Sequence, residues 1–237
     1  MNEAWTRQEM LLGQTERLYH AHVAVFGIGG VGSYCVEALA RAGVGRLTLV
    51  DHDTVGVTNL NRQLCALSST IGKPKAEVMA DRVLDINPQC QVRSLVSMYT
   101  PDTAEDFFAD YDYIVDAIDT VSCKLSLIMQ AKAREIPIVS AMGTGNKLDP
   151  TKFQITDISK TTDCPLARVV RKELRARGIF HHTVLFSKEE PLTPNVPQGQ
   201  TPPPGRRSIP GSVSWVPSCA GLMLAGYVVQ QLIKIDV

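Results

Sequence analysis

His22-Val23-Ala24-Val25-Phe26-Gly27-Ile28-Gly29-Gly30-Val31-Gly32 is a short apolar run that breaks into a glycine-rich turn. A helical pattern over residues 30–42 follows, and then a second apolar run, Arg46–Val50, which Asp51 closes. This order predicts a strand, a glycine turn, a helix and a second strand. Glycines let the main chain turn tightly near a phosphate, and a helix N-terminus offers unpaired N–H groups. The unit therefore indicates a nucleotide site, against the alternative of a tight turn without a ligand.

Polar residues just past the strand ends extend this candidate site. Asp51 is placed to accept hydrogen bonds from ribose hydroxyls, and Asp53 to help position the nucleotide. Ligands of open α/β sheets bind beyond the carboxyl ends of the strands, so we expect the polar groups after Asp51 to line the site. The predicted nucleotide-binding residues are Gly27, Gly29, Gly30, Gly32, Asp51, Asp53, Asn59, Arg62, Gln63, Lys75 and Asp119.

The bulk properties exclude several other classes of protein. The 237 residues fit one large α/β domain, and 24 basic against 24 acidic residues give no overall bias towards nucleic acid or membrane. The six cysteines form no CxxC pair, which disfavours a zinc ribbon. The N-terminus has no signal-peptide character, so we expect a reduced, cytoplasmic protein. The apolar segment 213–235 contains about 15 helical residues, which is too few for a membrane span, and predicts a buried terminal helix.

Strands and helices alternate along the first two thirds of the chain. After the glycine unit, further strands are predicted at 91–96, 111–117 and 137–142, with helices between them. This alternation predicts a doubly wound, Rossmann-like, mainly parallel sheet over a core of about residues 20–150. A helix over residues 3–19, with Gly13 suited to a C-cap, precedes it.

The pattern changes after residue 150, within what we expect to be a single domain over 1–237. Residues 151–212 are predicted as a substrate-binding insertion with additional strands and a helix that Pro165 opens. Seven prolines mark a loop at 190–211. Residues 213–237 are predicted as a closing strand, Val213–Val216, followed by a closing helix, Ser218–Ile235.

The motifs together resemble the adenylating enzymes of the ThiF and ubiquitin-activating-enzyme superfamily. The resemblance rests on the blocks Gly27–Gly32, Asp51–Asp53, Asn59–Gln63, Gly72–Lys75 and Val115–Asp119, in this order and spacing. Within the superfamily the chain looks most like the tRNA threonylcarbamoyladenosine dehydratase group. The segment Ile158–Thr161, the Pro165-Leu166-Ala167 step with its basic helix, and the missing zinc cysteines are typical of that group.

The resemblance implies activation of a carboxylate by ATP, giving an acyl-adenylate. Arg62 and Lys75 become candidate cationic clamps for the phosphates, since negative charge gathers there in the transition state. Asp119 becomes the Mg²⁺ ligand, with a simple helix N-cap as its alternative. Asp116 is the weaker candidate because it is predicted to lie within the strand. Arg7 resembles an arginine that reaches into the partner subunit's site in dimeric relatives, which implies a homodimer.

A tRNA substrate requires a basic surface. The helix after Pro165 places Arg168, Arg171, Lys172 and Arg175 at three- and four-residue steps, so they share one face, although a solvated face would look the same. Arg206 and Arg207 are expected to add a second contact.

Cyclisation within the substrate needs no nucleophilic cysteine, whereas sulfur-transfer chemistry with a partner protein would use Cys164 or Cys219, both expected outside the core.

Three other functions stay open at this point. The first is adenylation of the C-terminus of a ubiquitin-like sulfur-carrier protein, which would use the same ATP site. The second is an NAD-dependent oxidoreductase, which the set Arg62, Lys75 and Asp119 disfavours because hydride transfer needs no triphosphate clamp. The third is a non-catalytic nucleotide-sensing module.

Overall fold

The computed structural model describes residues 3–13, 15–195 and 210–234. Its centre is a seven-stranded sheet in the order β3-β2-β1-β4-β5-β7-β6. The strands are β1 (His22–Phe26), β2 (Arg46–Val50), β3 (Gln91–Leu95), β4 (Tyr113–Asp116), β5 (Ile138–Ala141), β6 (Phe153–Asp157) and β7 (Thr183–Ser187). Neighbouring strands run parallel except β6 and β7, which pair antiparallel at one edge. The predicted Rossmann-like, mainly parallel sheet with extra strands is confirmed.

Helices cover both faces of the sheet, because successive side chains of a strand point in opposite directions. Val23 and Val25 of β1 join one core, and Ala24 and Phe26 join the other. The helices are α1 (Thr6–Leu12), α2 (Glu16–His20), α3 (Gly32–Arg41), α4 (Lys75–Ile86), α5 (Val121–Ala133), α6 (Pro165–Ala176) and α7 (Trp215–Ile233). The first core is closed by α3, α4 and α7, and the second by α5 and α6.

The strand order creates a crevice at one point of the sheet. The chain builds β1, β2 and β3 towards one edge and then returns to place β4 on the other side of β1. Connections leave the carboxyl ends of β1 and β4 in opposite directions, so the polypeptide diverges above this pair. Open α/β sheets bind their ligands at such a switch point.

Two sequence predictions need correction at the chain ends. The strand predicted at Val213–Val216 is wrong, since α7 already begins at Trp215. Pro217 falls in the first turn of α7, where its missing N–H has no helical partner to lose. The helix predicted over 3–19 is divided, because Gly13 takes a positive φ of 70° at the end of α1. Residues 196–209 of the proline-rich loop, including Arg206 and Arg207, lie outside the described residues.

Helix α7 has 19 residues, so the prediction of about 15 helical residues is wrong. Among the described residues it is the one helix long and apolar enough to cross a membrane by length and composition. Half of its apolar window is buried inside the fold, where Val216, Ala220 and Leu224 join the first core. At Gly221 a Cβ atom would lie 2.3 Å from the carbonyl oxygen of Val31 and 2.9 Å from the amide of Cys35. α7 therefore rests directly on the start of α3, as expected for a buried terminal helix.

Candidate functional site

The glycine turn after β1 forms the floor of a cavity of about 700 Å³. Gly27 has a φ of +87°, and a Cβ atom there would lie 2.7 Å from the carbonyl oxygen of Ala117. At Gly32 a Cβ atom would come within 1.8 Å of the carbonyl oxygen of Gly27. Only glycine fits at both positions, so the turn closes tightly between the ends of β1 and β4. The N-terminus of α3 follows at once, which suits an anionic ligand.

Asp51, at the end of β2, holds this turn in place. Its Oδ2 atom accepts a hydrogen bond from the amide of Ile28 at 2.6 Å, and its Oδ1 atom accepts one from the amide of Asp53 at 2.8 Å. An ionised carboxylate can accept about four hydrogen bonds, so Asp51 keeps lone pairs for a ribose hydroxyl. Asp51 also lines the cavity.

Lys75 is a buried cation that also lines the cavity. It is the first residue of α4, it is 5% exposed, and its Nζ atom donates to Oδ2 of Asp53 at 2.8 Å. The amide of Lys75 donates to the main-chain oxygen of Asp53 at 3.0 Å as well. The two predicted nucleotide-binding residues are thus joined, and Lys75 presents its ammonium group from a fixed position.

Arg62, Asn59 and Gln63 complete this side of the cavity. The Arg62 guanidinium donates to the carbonyl oxygen of Thr58 at 2.8 Å and to Oδ1 of Asn61 at 3.0 Å. Asn59 accepts from the amide of Gly56 at 3.0 Å and stabilises the turn that carries Arg62. The arginine is half-buried, so its fork is restrained beside the glycine turn.

The two acids after β4 have different environments. Asp116 is fully buried within β4 and pairs with Nζ of Lys124 at 2.6 Å, so it belongs to the core. Asp119 lies three residues further on, is exposed and lines the cavity. Of these two carboxylates, Asp119 is the one that can meet a ligand in the cavity.

The opposite wall is formed by the segment after β5 and by the start of α6. It contains Gly143–Lys147 and Cys164–Leu166. Cys164 was expected outside the core, and this is wrong, because the side chain is 3% exposed and packs within the second core. Cys219 is half-buried on α7. Lys147 in this wall was not predicted from the sequence, since its partner, Glu189, lies 42 residues away.

A divalent metal ion has two candidate positions among the described residues. Asp51, His52 and Asp53 offer ligand atoms within 4.8 Å of one another. However, both Asp51 oxygens accept main-chain hydrogen bonds, and Asp53 is paired with Lys75. Asp119, an exposed carboxylate beside the glycine turn, suits Mg²⁺ better, since Mg²⁺ prefers one or two carboxylates together with phosphate oxygens.

The remaining predicted residues lie away from this cavity. Arg7 is exposed on α1 and is not among the described residues that line the cavity. On α6, Arg168, Lys172 and Arg175 are exposed. Arg171 is half-buried instead, and its guanidinium donates to the carbonyl oxygen of Thr161 at 2.8 Å. Arg171 therefore fixes the turn before α6. Only three of the four predicted basic residues are exposed on this helix.

Comparison with known proteins gives a consistent result over nearly the whole chain. The model of the ThiF family matches residues 5–236. A Bacillus subtilis protein named tRNA threonylcarbamoyladenosine dehydratase is 46% identical over 99% of this chain and 96% of its own length. Crystal structures of the Escherichia coli tRNA N6-threonylcarbamoyladenosine dehydratase, in complex with AMP and with ATP, superpose with TM-scores of 0.87 and 0.86. Each is 35% identical in sequence and covers 98% of this chain and 96% of its own.

Proposed function

Because the chain belongs to the ThiF family, we propose that it is an ATP-dependent tRNA threonylcarbamoyladenosine dehydratase. One combined observation carries the proposal. The glycine turn, Arg62, Lys75 and Asp119 line a single cavity, in a chain 46% identical over 99% of its length to a protein of that name. The related structure in complex with ATP supports ATP as the nucleotide that this cavity binds.

The first step follows from the charges in the cavity. An oxygen of the threonyl carboxylate attacks the α-phosphorus of ATP, and pyrophosphate leaves. Negative charge grows on the phosphate oxygens in the transition state, and cations held in advance stabilise it without reorganisation. Lys75 is held by Asp53, and Arg62 by Thr58 and Asn61, so both are positioned before ATP arrives.

The second step needs no covalent enzyme intermediate. A nitrogen of the same modified nucleoside attacks the activated carbonyl carbon, the ring closes and AMP leaves with the former carboxylate oxygen. The substrate thus loses the elements of one water molecule. Both reacting groups belong to one substrate, so the attack is intramolecular. This removes a large part of the entropic cost of bringing the two groups together. The thiols of Cys65 and Cys90 stay protonated, because burial raises the pKa of each to about 11.

We further propose that Mg²⁺ accompanies ATP and that Asp119 is its protein ligand. Mg²⁺ would screen the phosphate charges that Arg62 and Lys75 also meet. The position of Asp119 after β4, close to the glycine turn after β1, supports this role. We also propose a cytoplasmic location, because the similar proteins are named as tRNA-modifying enzymes. A sulfur-transfer partner protein stays a prediction.

The test is a mass measurement on nucleosides. The protein is incubated with Mg²⁺-ATP and tRNA that carries threonylcarbamoyladenosine, and the digested tRNA is weighed. We expect the modified adenosine to lose one water only when ATP is present. Asp119→Ala should reduce the rate at least about 100-fold, as is common for the loss of one preorganised charge-stabilising group. Asp81→Ala, an exposed acid on α4, is the control and should keep full activity.

Two outcomes would overturn this proposal. An unchanged nucleoside mass with wild-type protein would exclude the dehydratase. Pyrophosphate release only when the C-terminus of a ubiquitin-like carrier protein is supplied would favour sulfur-carrier adenylation at the same ATP site.

A further inference from the structure

Lys147 is a second buried cation in the cavity, and no carboxylate of the described residues pairs with it. The side chain is 3% exposed, and its Nζ atom donates a hydrogen bond to the main-chain oxygen of Glu189. The Glu189 carboxylate is occupied elsewhere, because its oxygens accept from the amides of Leu148 at 2.9 Å and Asp149 at 3.0 Å. Within the described part of the chain, Lys147 forms no ion pair within 4.0 Å, unlike Lys75.

A buried cation without a paired carboxylate is energetically unfavourable. Burial lowers the pKa of Lys147, the nearby charge of Lys152 acts in the same direction, and the carboxylates of Glu189 and Asp163 only partly oppose the effect. A buried ammonium group loses its hydration, and a hydrogen bond to a neutral carbonyl oxygen replaces only part of it. An anion that enters the cavity beside Lys147 would supply the missing charge.

The order of the strands indicates which anion that is. Asp51, the candidate ribose ligand, follows β2, and the glycine turn and Asp119 follow β1 and β4. β5 is the next strand beyond β4, and Lys147 lies in the segment after it. A nucleotide with its ribose at β2 and its phosphates at β1 and β4 leaves the space at β5 for the group that attacks the α-phosphate. In the proposed reaction this group is a carboxylate.

We propose that Lys147 binds the carboxylate of the threonylcarbamoyl group and holds it beside the α-phosphate of ATP. This inference rests on the proposed function and adds the residue that selects the modified tRNA. The ammonium group contributes a charge-assisted hydrogen bond, and an adenosine without the carboxylate cannot form it. During the attack one carboxylate oxygen bonds to phosphorus, and the other stays with Lys147.

The experiment compares Lys147→Met with Lys152→Met in the full-length protein. Lys152 is an exposed lysine on the same segment, so its substitution removes a nearby charge without entering the cavity. We measure kcat and KM for tRNA with threonylcarbamoyladenosine, and the Kd for Mg²⁺-ATP. Lys147→Met should lower kcat/KM for the modified tRNA about 10- to 100-fold, the loss expected for one hydrogen bond to a charged group. The Kd for ATP should change less than about twofold, as should every constant of Lys152→Met.

Two further variants separate charge from structure. Lys147→Gln keeps an N–H donor on a side chain one atom shorter but carries no charge, so it should be as defective as Lys147→Met. Lys147→Arg keeps the charge and should recover part of the activity. The proposal is overturned if Lys147→Gln has wild-type kinetics, if Lys147→Met retains its kcat/KM, or if the loss appears mainly in the Kd for ATP. If the wild-type protein forms no dehydrated nucleoside, the proposed function fails, and this inference fails with it.

Discussion

Asp51 is a single carboxylate that serves both the fold and the proposed ligand. It accepts from the amides of Ile28 and Asp53 at 2.6 and 2.8 Å. In Asp51→Asn one oxygen becomes an NH₂ group, so a hydrogen-bond donor faces a main-chain amide that is also a donor. We expect ATP affinity to fall about 10- to 100-fold, the loss expected for a charge-assisted hydrogen bond. Titration calorimetry with ATP measures this. Asp81→Asn on α4 is the matched control, and wild-type affinity of Asp51→Asn would contradict the assigned role.

Some residues of the candidate site could be predicted from the sequence, and others could not. The spacing of the glycines and the position of Asp51 after a strand were readable, because both belong to one local unit. The pairing of Lys75 with Asp53 was not, since it requires the chain to fold back over 22 residues. Lys147 and Glu189 are further apart still, and neither belongs to a local pattern. Cys164 was expected outside the core, but the start of α6 packs into the second core and Cys164 is buried there.

At the scale of the element, α6 links the cavity to the proposed tRNA surface. Its first residues, Pro165 and Leu166, line the cavity, and Arg168, Lys172 and Arg175 extend from there over the exposed face. We expect the double variant Arg168→Glu/Lys172→Glu to bind tRNA more weakly. The slope of log K against log salt should become shallower by about 2, roughly one for each phosphate that the protein no longer neutralises. Filter binding at several salt concentrations measures it.

The control for α6 is an exposed arginine elsewhere, Arg17→Glu on α2, whose salt slope should stay at the wild-type value. Equal slopes for the α6 double variant and the wild-type protein would remove α6 from the tRNA surface. Arg171→Gln should act differently from both. Because Arg171 holds Thr161, its loss should lower the unfolding temperature and leave the salt slope unchanged.

The helices and strands of the first 150 residues were predicted from the sequence more accurately than those of the remaining chain. Alternating strands and helices are specified by local periodicity, and each predicted core strand is present. The end of the chain depended on context. Val213–Val216 includes two valines and a tryptophan, which favour a strand, yet α7 begins at Trp215, because Val216, Ala220 and Leu224 are buried in the first core as residues of one helix. Tertiary burial outweighed local preference there.

At the scale of the whole molecule, Arg7 is exposed on α1 and is not among the described residues that line the cavity of its own chain. On α1, Met10 is 81% exposed and Leu11 is 86% exposed, which is unusual for large apolar side chains on one short helix. Adjacent exposed apolar side chains are common on surfaces that bind another protein. We propose a homodimer in which Arg7 of one subunit reaches the ATP site of the other.

Mixing two inactive proteins tests this arrangement. Arg7→Ala and Asp119→Ala should each be inactive, because every site then lacks one group. When the two are co-expressed, about half of the dimers are mixed, and one of the two sites in each mixed dimer has both native residues. We therefore expect about a quarter of the wild-type activity to return, as two-fold symmetry requires. If Arg7→Ala alone is fully active, Arg7 has no role in catalysis. If the mixture stays inactive although mixed dimers form, Arg7 and Asp119 act within one subunit, and α1 contributes to the interface by packing alone.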